Sequence, residues 1–100
     1  MRKSWLEVRQ TSRFAKWLQK LKDRQAKARI QVRIDRLALG NPGDTKPIGE
    51  GVSEMRLHHG PGYRVYFTQR GRELIVLLVG GDKSTQHTDI AEALELARNL

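Results

Sequence analysis

Leu74-Ile75-Val76-Leu77-Leu78-Val79, followed by Gly80-Gly81, is the stretch that decides how this chain folds. It is apolar without alternation, which suits a central strand buried on both faces. Something must therefore cover each side of the sheet it belongs to. Just before it, Gln69-Arg70-Gly71-Arg72 has the glycine of a tight hairpin turn. Before that turn, Tyr63-Arg64-Val65-Tyr66-Phe67 is aromatic and β-branched, and Val52 to Leu57 alternates in character. His59-Gly60-Pro61-Gly62 is a turn between those two segments. The three strands predict an antiparallel meander. Downstream, Gly80-Gly81 is expected to break the last strand. Asp89 is expected to cap a final helix, with Ile90, Leu94 and Ala97 on one face.

The N-terminal part has a helical period. Thr11 or Ser12 can cap a first helix, because a hydroxyl accepts from an unpaired first-turn N–H. Phe14, Trp17, Leu18 and Leu21 then fall on one face. Asp23 begins a second helix whose apolar stripe is Ala26, Ile30, Ile34, Leu37 and Ala38. The link is short, so the two helices form an antiparallel hairpin. Gly40-Asn41-Pro42-Gly43-Asp44 ends the second helix. A short strand is expected at Trp5 to Arg9. The order strand, helix, helix, three strands, helix predicts one α+β domain over residues 1–100. Its N-terminal strand and helical hairpin pack on a small, mostly antiparallel twisted sheet, with a C-terminal helix at the end.

The chain has 100 residues and no cysteine, which excludes a disulfide framework, a cysteine zinc site and a thiol nucleophile. No apolar run approaches the roughly 20 residues that span a bilayer. The charged start, Met1 to Gln10, does not read as a signal peptide, so a cytoplasmic location is expected. Lysine and arginine number 19 against 11 acids, a net charge of +8. Residues 1–36 carry 12 basic and 3 acidic side chains (+9), and the remainder 7 against 8 (−1). Such a field attracts polyanions in a salt-dependent way. It serves equally as a solvated helical face or as a surface for an acidic protein.

Among candidate chemical groups, Gly49-Glu50-Gly51 is an isolated G-x-G and reads as a loop turn. His58, His59 and His87 do not make a metal set, because adjacent strand residues point to opposite faces. Ser53 and Ser84 have no triad around them. A more coherent group lies on the meander. Glu54, Arg56 and His58 alternate onto one face of the second strand, and Arg64 and Tyr66 onto one face of the third. Lys46 is expected in the loop before the sheet, and Lys83, Ser84 and Gln86 follow the last strand. If the faces coincide, the sheet presents a cationic surface suited to a phosphodiester. The plainer alternative is that Glu54 pairs with Arg56 or Arg64 at the sheet surface, at little energetic consequence.

The longer motifs resemble the RelE/ParE superfamily of bacterial toxins, in particular its HigB-like "addiction module killer protein" branch. The resemblance is carried by Phe14-Ala15-Lys16-Trp17-Leu18, by Arg33-Ile34-Asp35-Arg36-Leu37 and by the long stretch from Gly40 to Arg56. It continues through Gly60-Pro61-Gly62-Tyr63-Arg64-Val65-Tyr66-Phe67 and Leu77 to Gln86, in order, as far as the last helix. It implies a type II toxin neutralised by a cognate antitoxin, often a helix-turn-helix DNA-binding protein. Many relatives cleave mRNA in the ribosomal A site, whereas ParE-like relatives poison DNA gyrase by protein binding alone. Arg64 matches a phosphate-binding catalytic arginine of the RNA-cleaving members, and Arg56 and Lys83 fall where those members carry further basic residues. Relatives often place a tyrosine or histidine near the C-terminal end, where this chain offers His87.

Metal-independent cleavage needs a base for the 2′-hydroxyl, cations for the phosphorane and an acid for the leaving oxygen. Arg56, Arg64 and Lys83 suit the second role; His58, Tyr66 or Glu54 suit the others. A tyrosine, with an ordinary pKa near 10, needs a neighbouring cation to act as a base at neutral pH. Lys46, Gln86 and His87 are expected to contact RNA, and Lys20 and Lys27, on the basic helices, to grip ribosomal RNA. The expected partners are the antitoxin, mRNA and the ribosome, with no membrane and no cofactor. The competing expectations are a gyrase poison and a non-toxic relative.

Overall fold

The computed structural model describes residues 6–100. It contains β1 (Glu7–Gln10), α1 (Ser12–Lys20), α2 (Arg24–Ala38), β2 (Thr45–Gly49), β3 (Val52–Arg56), β4 (Tyr63–Arg70), β5 (Leu74–Asp82), a single 3-10 turn (Lys83–Thr85) and α3 (Gln86–Arg98). The strands form one sheet in the order β1-β5-β4-β3-β2. β1 runs parallel to β5, and all other pairs are antiparallel. The meander is thus as expected, and the N-terminal strand completes it as an edge. Trp5, expected in that strand, lies outside the described residues.

Both predicted helix starts are capped by the residues that can do so. Thr11 Oγ1 accepts from the Phe14 amide at 3.0 Å, and Asp23 Oδ1 from Ala26 at 3.1 Å. α2 ends in a Schellman motif: the Asn41 amide donates to the Arg36 carbonyl and Gly40, at φ 89°, donates to Leu37. Lys27 Nζ reaches back to the Gln19 carbonyl at 3.1 Å, as an antiparallel helix pair requires.

The apolar run of β5 is buried on both faces. Ile75 and Leu77 join Phe14, Ile30, Met55, Val65 and Phe67 under α1 and α2. Val76, Leu78 and Val79 join Val52, Tyr66, Ala93 and Ala97 under α3. Leu78 and Val79 share a face because the β4–β5 register skips a residue after Tyr66↔Val79, a β-bulge.

Three expectations are corrected. Gly80-Gly81 does not break β5, which continues to Asp82. A Cβ at Gly80 would collide with the Trp17 ring, and one at Gly81 with the Asp89 carboxylate, so the glycines let α1 and α3 approach the sheet. Asp89 does not cap the last helix. Asp82 caps the 3-10 turn instead, with Thr85 completing a capping box, and α3 continues directly from it. Asp89 sits buried in the first turn of α3 and accepts from the Thr85 hydroxyl. Lys46 is not in a loop but on β2, an edge strand that tolerates Pro47 because that edge is unpaired.

Candidate active site on the sheet

Two cross-strand rows build the site on the face covered by α3. Lys46 of β2 lies opposite Glu54 of β3, which lies opposite Tyr66 of β4. The next row is Arg56 of β3, Arg64 of β4 and Gly81 of β5. Like charges directly opposite each other destabilise a sheet, so the Arg56–Arg64 pair needs an anion nearby. Glu54 supplies one. Its Oε1 is 3.9 Å from Arg56 Nε and its Oε2 is 3.8 Å from Arg64 Nε.

Glu54 is only 2% exposed and Arg64 5%, so this pairing is an interior one, in contrast to the surface pair expected from sequence. Tyr66 Oη donates to Glu54 Oε2 at 3.0 Å and Gln86 Nε2 donates to the same oxygen at 2.7 Å. The carboxylate is therefore held from strand and helix alike. Arg64 Nη1 donates to the Gly62 and Tyr63 carbonyls, both at 3.2 Å. The two Nε groups remain buried without a hydrogen-bond partner, since 3.8 and 3.9 Å are too long for one. Burial, and then the bond to Glu54, push the Tyr66 hydroxyl well above the ordinary tyrosine range. It stays protonated at neutral pH and acts as a donor, not as a base.

Lys83 is exposed at the rim, its aliphatic stem against Gly62, where an added Cβ would sit 2.9 Å from Lys83 Cγ and Cε. Gly62 takes φ 80° at the turn leading into β4, so it serves both the turn and this close approach. Lys46 is exposed at the β2 edge. With two arginines and two lysines against Glu54 and Asp44, the cluster has a formal charge of +2.

His58 departs from the alternation. β3 ends at Arg56, and the exposed imidazole places Nε2 2.7 Å from Asp44 Oδ2. Asp44 Oδ1 lies 3.8 Å from Arg56 Nε, so His58 meets the cluster only through Asp44. The His58 bond, helped by Arg56, holds the Asp44 carboxyl below its usual range. His59, expected at a turn or surface, is half-buried and lies 3.4 Å from Asp23 Oδ2. His87 is exposed on the first turn of α3. Lys20 and Lys27 belong to the helical layer across the sheet from Glu54. Asp44 was not among the residues singled out from sequence. Neither was Arg33, whose Nη1 donates to the Arg56 carbonyl at 2.7 Å. Each depends on a loop conformation that spacing does not reveal.

Residues 16–100 match the model of the family described as Phage derived protein Gp49-like. The chain belongs to the Gp49-like family. This Gp49-like chain is 47% identical over 95 residues to an uncharacterized protein of Haemophilus influenzae, an alignment covering 95% of this chain and 96% of that relative. Among solved structures, a double arginine-to-alanine mutant of E. coli toxin RelE in the free state superposes with a TM-score of 0.76. The match covers 91% of this chain and 96% of that one, at 14% identity. The Gp49-like chain thus has the RelE fold.

Proposed function

We propose that this protein is the toxin of a type II toxin–antitoxin module and acts as a ribosome-dependent mRNA endoribonuclease. The carrying observation is the Arg56–Arg64 pair, with both Nε groups unpartnered, between Lys46 and Lys83 on a RelE fold. A phosphodiester would meet the part-exposed Arg56 side chain and the exposed Lys46 and Lys83, with the buried Arg64 adding its charge from beneath. Arg56, Arg64 and Lys83 would offset the charge of the phosphorane. In this reading His58 is the base. With Nε2–H donated to Asp44, Nδ1 keeps its lone pair for the 2′-hydroxyl proton. Attack of the 2′ oxygen forms the new P–O bond and breaks the bond to the 5′ oxygen, which takes a proton from solvent; the products are a 2′,3′-cyclic phosphate and a 5′-hydroxyl. Glu54 and Tyr66 hold the arginines in place from beneath. An antitoxin would neutralise the protein in the cell.

Glu54 takes up part of the arginine charge, which favours a second reading: a gyrase poison that binds protein and performs no chemistry. Induction without antitoxin, followed by primer extension on a model transcript, separates the two. Cuts that appear only during translation are expected. Intact mRNA with DNA-damage signalling would refute the nuclease reading.

A further inference from the structure

A second cationic surface lies on the other side of the sheet, along α2. A groove of about 330 Å³ runs between that helix and the segment after β3. Its apolar wall is formed by Ala28, Val32 and Leu57, and His58 and His59 line it as well. Val32 is 47% exposed, one of few large aliphatic side chains so open to water. Arg29, Arg33 and Arg36 line the same groove, and with Val32 they fall at i, i+3, i+4 and i+7 of one helical stripe. Among the described residues, neither Arg29 nor Arg36 has a carboxylate within ion-pair distance. Asp35, the acid of the same helix, bonds to Gln31 instead. Arg33 directs its hydrogen bonds to the carbonyls of Arg56, Pro42 and Asp44.

We infer that this groove is a docking site for an acidic, amphipathic helical segment of a protein partner. Carboxylates on one turn and the next would meet Arg29, Arg33 and Arg36, and an apolar side chain between them would cover Val32 and Leu57. A nucleic-acid backbone would use the arginines but has nothing to place against the aliphatic wall. Because α2 lies across the sheet from Glu54, an occupant here would leave Glu54 and Arg64 uncovered but would meet His58, the base of the proposed reaction. The test reads binding alone and does not require any cleavage.

The test uses fluorescence anisotropy on the full chain. The probe is a labelled helical peptide carrying Glu at i, i+4 and i+7 with Leu at i+3. A scrambled peptide of the same composition and a mixed-sequence single-stranded RNA serve as comparisons. The designed peptide is expected to bind more tightly than the scramble. The Arg29→Glu, Arg36→Glu double variant should weaken it at least about tenfold. Val32→Ser should weaken it about fivefold through lost apolar burial. These side chains lie on the helix surface, so thermal melts of the variants should match the parent; Arg33 is left alone because it ties α2 to β3. The inference is overturned if no peptide binds, if the scramble binds equally, if RNA binds in preference, or if charge reversal changes affinity by less than about twofold.

Discussion

Glu54→Gln tests the reasoning about the site most directly. Glutamine has nearly the same shape and can still accept from Tyr66 and Gln86, so packing and two hydrogen bonds survive. What disappears is the one negative charge between two guanidiniums that face each other across β3 and β4. Removing one partner of a buried ion pair generally costs 3–5 kcal/mol. Arg64 is almost fully buried and takes that cost nearly undiminished. The Arg56 side chain is 35% exposed, so water screens its share. A loss of about 3 kcal/mol follows. In a domain of this size it lowers Tm by about 15 °C. The assay is a urea or thermal melt of parent and variant at constant ionic strength. The variant should be destabilised by about that amount. A variant as stable as the parent would refute the idea that Glu54 holds these two guanidiniums.

Arg64→Gln should lower transcript cleavage by about 10²–10³, the usual effect of losing transition-state charge, with the circular dichroism of a folded chain but a lower Tm, because Glu54 loses its buried partner. Tyr66→Phe should cost about 1 kcal/mol of stability in denaturant melts. It should leave the shape of the cleavage pH profile between about 6 and 9 unchanged, because a hydroxyl held protonated is not the titrating base. Burial raises the Asp89 carboxyl above its ordinary value, only partly countered by Thr85 and Arg13. The native state then binds that proton more tightly than the unfolded chain does. Its stabilising effect is complete below the unfolded value of 3.8 and is lost as pH rises through the higher native value. Asp89→Asn should remove that decline, and melts at neutral pH should show a higher Tm than the parent. Gly80→Ala should lower stability by up to about 3 kcal/mol, because the added methyl enters the space of the Trp17 ring, and a melt reads it directly.

What could be read from sequence, and what could not, follows the range of the signal. Arg56, Arg64, Glu54 and Tyr66 were legible together because two regularities combine. Strand residues alternate, and a tight turn fixes which residue opposes which. Once Val52–Arg56 and Tyr63–Arg70 are paired, the cross-strand neighbours follow. His58 was lost by the same logic, since alternation has no authority past Arg56, where the strand ends. The glycines show why one residue type supports two meanings. Gly80 and Gly81 read as a strand break, yet they are needed where Trp17 and Asp89, some sixty residues and eight residues away in the chain respectively, come close to the backbone. The bulge at Leu78 was hidden because all residues around it are apolar, so a slipped alternation leaves no mark in composition. Asp89 looks like the cap in sequence, yet Asp82 caps the turn and Asp89 is buried, with the Thr85 hydroxyl bonded to both residues. Net charge was the least informative guide to position. The excess of basic residues before Leu37 pointed to the helices, but it did not indicate which side of the sheet they cover. That layer lies opposite Glu54, so the helical cations and the sheet cations lie on different sides of the sheet.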